Sequence, residues 1–113
     1  MAILYTIMKK IFISGPYTKG DVAQNVKHSM DIANALINGG FAPYCPHLTH
    51  FLHMNAYQEY EIWLKLDLVY LEICDGLLRL DGESGGADKE VEFAHQLKIP
   101  VFYSIAELIA YYK

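Results

Sequence analysis

Short β-rich runs and amphipathic helical runs alternate along the chain, and this alternation constrains the fold more than any other feature. Lys10 to Ser14 is β-rich and runs into the turn pair Gly15-Pro16. Asp21 to Asn38 reads as a helix. Val22, Val26, Ser29, Met30, Ala33, Leu36 and Ile37 share one face of it, and Gly39-Gly40 ends it. Phe41 to Cys45 predicts a second strand, closed by Pro46, and a loop carrying His47, His50 and His53 follows. Tyr57 to Ile73 predicts a helix, Gly76 to Leu80 a strand, and Ala87 to Lys98 a helix. Val101 to Tyr103 then reads as a buried strand and Ile105 to Tyr112 as a final helix. This βαβαβαβα order predicts a single α/β domain of the Rossmann-like or flavodoxin-like three-layer type. Its parallel sheet should have about four or five strands, with the strand order 2-1-3-4. Ligands in such sheets bind past the carboxyl ends of the strands. Chemistry is therefore sought at Gly15-Pro16-Tyr17, at Cys45-Pro46-His47 and from Asp81 to Gly86.

Composition narrows the function. The 113 residues suit one domain, and 53% hydrophobic against 19% charged is too apolar for a disordered chain. Nine basic residues against 13 acidic ones give a formal charge of −4, and Arg79 is the only arginine. No basic face is available to track long nucleic acid or an anionic membrane. No apolar run reaches the roughly 20 residues of a membrane helix. Cys45 and Cys74 make neither a disulfide framework nor a four-ligand zinc site. They read as small apolar residues in a reducing cytoplasm. Residues 1–8 read as a leader or an extra edge strand, and residues 9–113 as the domain.

Two carboxylates stand where apolar residues are expected. On the helix after the third strand, Ala87, Val91, Phe93, Ala94 and Leu97 form the apolar arc, and Glu90 falls in its middle. On the preceding helix, Tyr60, Trp63, Leu64, Tyr70, Leu71 and Cys74 share an arc centred on Asp67. A buried carboxylate is costly unless paired or hydrogen-bonded. One such acid reads most simply as a loop anchor. Two, on helices flanking one sheet, read as a convergent pair, the equipment of glycosidic bond cleavage.

Three weaker signals accompany them. Ser84-Gly85-Gly86 opens a helix, with Ser84 a good N-cap and the glycines permitting close approach of an anionic ligand. Read alone, it is a plain turn and cap. His47, His50 and His53 recur at three-residue spacing, yet on a loop they are not aimed at one point, so no metal is expected. His47, directly after the second strand, is the one best placed to touch ligand. Tyr17, Tyr44, Phe51, Tyr57 and Tyr60 gather near the same end, where aromatic faces can stack a nucleobase or simply pack.

Together, Gly15-Pro16-Tyr17 after a strand, Asp67 eight residues before Asp75, and Ser84-x-Gly86-x-x-x-Glu90 resemble the nucleoside 2-deoxyribosyltransferase superfamily. That group includes the 2′-deoxynucleoside 5′-monophosphate N-glycosidases. Pro46 to Phe51, Trp63-x-x-x-Asp67 and Gly82 to Glu90 also resemble small phage and bacterial relatives of unknown function. The likeness spans roughly residues 9–103. It implies that Glu90 is the nucleophile at C1′, that Asp67 assists departure of the base, and that Tyr17 orients Glu90. It implies that Ser84, with Gly85 and Gly86, meets a 5′-phosphate. Lys19 stands where the monophosphate hydrolases carry an arginine, and is a less directional partner. Gly15, Pro16, His47 and Asn25 complete the expected substrate site, Asn25 equally as a brace to a loop. The resemblance implies a small-molecule nucleoside or nucleotide, no cofactor, and a homodimer or higher oligomer. The alternative is a nucleotide-binding module without turnover.

Overall fold

The computed structural model describes residues 8–112, so all but the last residue of the leader or edge strand expected at residues 1–8 lies outside the described residues. Four strands form one parallel sheet: β1 (Lys10–Ser14), β2 (Ala42–Tyr44), β3 (Gly76–Arg79) and β4 (Val101–Phe102). The order is β2-β1-β3-β4, the order expected from the alternation. Five α-helices are described: α1 (Val22–Asn38), α2 (Thr49–Asn55), α3 (Tyr60–Leu71), α4 (Gly85–Gln96) and α5 (Ile105–Tyr112).

The two-residue period of β1 builds the layers. Ile11 and Ile13 pack with Leu36 of α1 and Leu108 of α5 on one face of the sheet. Phe12 packs with Leu71 of α3 and Ala94 of α4 on the other. Helices therefore cover both faces, which completes the three-layer α/β arrangement. None of the helices is long and apolar enough to cross a membrane, among the described residues.

Two expectations are corrected. The histidine segment is not a loop: Pro46–Leu48 is a 3₁₀ turn that leads directly into α2. Proline presets the backbone of a first helical turn and has no N–H to leave unpaired. Thr49 Oγ1 then donates to the Pro46 carbonyl at 2.7 Å. On α1, Val26, Ser29 and Leu36 are buried, but Met30 and Ile37 are 44% and 56% exposed. The helix meets the sheet along a stripe narrower than its apolar arc.

The loops at the carboxyl edge are locked to one another. Asp21 caps α1 by accepting from the Gln24 N–H. Gly82 has φ +116°, and a Cβ there would lie 2.7 Å from Pro16 Cγ. Glycine thus supplies both the turn and the close approach between the β3–α4 loop and the β1–α1 loop. Gly82→Ala should destabilise the protein by about 2 kcal/mol and lower Tm by about 5–10 °C. Thermal melts followed by circular dichroism check this.

Candidate active site

Ser14 ends β1 two residues after Phe12, so its side chain points to the α3–α4 face. It is fully buried, and its hydroxyl donates to Glu90 Oε1 at 2.7 Å. The Ala87 carbonyl lies farther from the same Oγ, at 3.4 Å. Glu90 sits on α4 between the buried Ala87 and Ala94, and is only 6% exposed. The helical period that gives those alanines to the core carries the carboxyl in with them.

Asp67 lies on α3, one turn before the fully buried Leu71. Its carboxyl is within hydrogen-bond reach of Glu90, while Asp67 Oδ1 is buried with no donor. The two acids centred on apolar arcs in the sequence therefore meet.

Burial raises both carboxyls above the usual carboxylate range, desolvation being the first cause for each. At Glu90 the Asp67 charge adds to the rise, while the Ser14 hydroxyl and the Arg79 guanidinium oppose it. Two carboxyls this close cannot both ionise cheaply where burial strips them of water, which favours one proton between them.

Two phenols border the pair. Burial, and then the Asp67 charge, push the Tyr44 hydroxyl up to about 12. Tyr60 is raised by burial and by the Glu90 and Asp67 charges. A Cβ at Gly86 would stand 2.9 Å from the Tyr60 hydroxyl oxygen, so glycine lets this phenol lie against the first turn of α4. The Lys89 ammonium rests 5.8 Å from the centre of the Tyr60 ring.

The remaining expected residues surround this centre in different ways. Tyr17 does not hydrogen-bond Glu90; its hydroxyl lies 2.6 Å from His50 Nδ1 on α2. Ser14, not singled out in the sequence, occupies the place expected for Tyr17. Asn25 donates to the Tyr17 and Lys19 carbonyls at 2.9 and 2.8 Å and so braces the first loop. Lys19 Nζ lies 3.7 Å from Glu83, both side chains exposed. Ser84 caps α4 by accepting from the Ala87 N–H, and Gly85 and Gly86 form the first turn. A Cβ on Gly15 would meet Leu80 Cβ at 2.9 Å, so glycine allows the strand end to close on β3.

The histidines have separate partners. His47 Nε2 donates to the Pro16 carbonyl at 2.8 Å. Burial lowers its pKa, which keeps the ring neutral, and its Nδ1 is buried without a partner. His53 Nδ1 accepts from the Trp63 indole N–H at 2.9 Å and ties α2 to α3. Among the described residues no group of three or more His, Cys, Asp or Glu side chains is placed to hold a metal ion.

Arg79, also missed, holds the loop before α4. It donates to the Leu80 carbonyl, to the Gly82 carbonyl at 2.9 Å and to Asp88 at 3.1 Å. A cleft of about 490 Å³ opens beside Arg79, lined also by Asp88, His95 and Tyr103, and neither paired acid lines it.

The fold and this pair define a doubly wound α/β protein with two coupled carboxyls at the carboxyl edge of its sheet. The chain belongs to a family described as a domain of unknown function, DUF7768, which matches residues 9–104. A comparison with curated proteins finds no match. Among solved structures, the chain is similar to a 2-deoxyribosyltransferase from the psychrotolerant bacterium Bacillus psychrosaccharolyticus, with a TM-score of 0.61. The two are 19% identical, over 81% of this chain and 69% of that one. At that identity the likeness establishes a shared α/β fold.

The acid pair also shapes stability. A carboxyl whose pKa is raised on folding binds more protons folded than unfolded, so it costs stability as pH climbs above the ordinary value of about 4.3. Glu90→Gln should be more stable than the parent. The gap should be small near pH 4 and widen by up to ~1.4 kcal/mol per pH unit above it. Melts of both proteins from pH 4 to 9 check the sign.

Proposed function

We propose that the protein cleaves the N-glycosidic bond of a 2′-deoxynucleoside or its 5′-monophosphate. The observation that carries this reading is the coupled pair of the half-buried Asp67 and the buried Glu90 at the carboxyl edge of the sheet. Glycosidic cleavage needs one carboxylate to attack and one carboxylic acid to protonate the leaving group. A pair that shares one proton holds both forms at once.

In the proposed cycle the substrate parts the two carboxyls. Glu90 Oε attacks C1′ as the C1′–N bond breaks, and the electron pair of that bond leaves on the base nitrogen. Asp67 delivers its proton to the base. The covalent glycosyl-glutamate is then opened by water, or by a second base, attacking C1′. Asp67 takes up the proton lost by that nucleophile, and Glu90 leaves as a carboxylate. The scheme calls for no metal or organic cofactor.

The surrounding residues take supporting roles. Gly15, Pro16, His47 and Tyr17 shape the wall on the β1–β2 side, and Asn25 holds that loop in place. Ser84, Gly85 and Gly86 place the start of α4 beside the sugar. Leu48, Phe51, Leu52, Met54 and Tyr57 are exposed next to this wall. A second copy of the chain, in a homodimer or larger oligomer, would cover them.

The test is chromatography of free base after incubation with each deoxynucleoside and its 5′-monophosphate. The wild type should release base, and Glu90→Gln should lose about 10³-fold or more of that rate. Asp67→Asn should lose about 10²–10⁴-fold. The wild-type rate should peak between two limbs, falling at low pH as both acids are protonated and at high pH as both ionise. Tight binding with no release from any substrate would favour the binding-module reading instead.

A further inference from the structure

Two carboxyls this close favour holding one proton between them, and the site is unsymmetrical about it. We propose that Ser14 is a positioning residue that fixes where this proton resides: its hydroxyl holds Glu90 as the carboxylate and leaves the proton on Asp67. The inference rests on the reading of Glu90 as nucleophile and Asp67 as acid.

Three observations lead there. Ser14 has one hydroxyl hydrogen, and the acceptor at 2.7 Å is Glu90 Oε1, against 3.4 Å for the Ala87 carbonyl. A donor aimed at a carboxyl stabilises its ionised form. Second, Asp67 Oδ1 is buried with no donor. An ionised carboxylate is costly there, whereas a protonated one supplies its own O–H to Glu90. Third, Arg79 approaches from β3 and favours a negative Glu90. The other groups near the pair are the neutral phenols of Tyr44 from β2 and Tyr60 from α3. Two effects oppose these: Glu90 is the more deeply buried acid, and the contact between the carboxyls raises Glu90 while it lowers Asp67. Two favourable groups on Glu90, against none on Asp67 apart from Glu90 itself, decide the balance.

Strand position makes Ser14 suited to this. It sits at the last residue of β1, fully buried, on backbone paired with β3. Its hydroxyl therefore does not depend on a mobile loop. The loop tyrosine is left free to bind His50 and shape the wall.

The test uses carboxyl-carbon NMR on the full-length protein with ¹³C-labelled Asp and Glu. In the wild type the first of the two coupled steps should report on Glu90, with Asp67 remaining protonated to higher pH. In Ser14→Ala the Glu90 step should move up by about one to two pH units. The acid limb of kcat/KM should move with it. Ser14→Thr, which keeps the hydroxyl on a β-branched residue suited to a strand, should restore both. Should alanine unfold the strand, Ser14→Cys carries the same measurement with a weaker donor and a smaller shift.

A Glu90 titration unchanged by loss of the hydroxyl would overturn the proposal, as would a wild type in which Glu90 keeps the proton. The two readings separate cleanly. A Ser14-dependent titration in a protein that releases no base leaves the proton assignment standing and removes the glycosidase. Base release with a pH profile indifferent to Ser14 does the reverse.

Discussion

The burial of Glu90 against Asp67 is the constraint on which the site depends. Each acid sits on the core-facing side of its helix, where the neighbouring positions are alanine or leucine. A helix that turned to bring either carboxyl to water would expose those residues. The packing of α3 and α4 on the sheet thus brings a half-buried acid, Asp67, against a buried one, Glu90. There they can persist only by sharing a proton and by taking the hydroxyl that β1 offers. Stability is spent on this arrangement, as is usual where a site needs reactive groups.

The rest of the carboxyl edge keeps that space in shape. Ser84 closes the start of α4, and Arg79 stitches the preceding loop to both its own carbonyls and Asp88. Pro16 is gripped from two sides, by the close approach of Gly82 and by the His47 N–H on its carbonyl. Tyr17, braced by Asn25 at its backbone and by His50 at its hydroxyl, joins the first loop to α2. His53 joins α2 to α3 through Trp63. A continuous series of side-chain contacts therefore runs from the first loop, through the histidine helix, to the helix that carries Asp67.

Much of this was legible from residue order. The alternation of periods sets the layers, and the one-handed crossovers of parallel strands narrow the strand orders open to the sheet. The two acids stood out because period 3.6 placed them among apolar residues. Other features were hidden for physical reasons. Ser14 looks like an ordinary strand end until the period-two register from Phe12 is followed onto the α4 face. The histidine segment reads as a loop because Pro46 and polar residues mask a helix whose first turn proline favours. The partner of Tyr17 depends on where that helix lies, which is a tertiary fact. Met30 and Ile37 continue an apolar arc past the width of the sheet beneath it.

The central claim is that Glu90 bonds to the sugar during turnover. Acid quench of the wild type during reaction with a deoxynucleoside, followed by digestion and mass spectrometry, tests it most directly. The account predicts a deoxyribosyl adduct on the peptide containing Glu90, which disappears when substrate is exhausted. Base release without any adduct, or an adduct on a different residue, would contradict it.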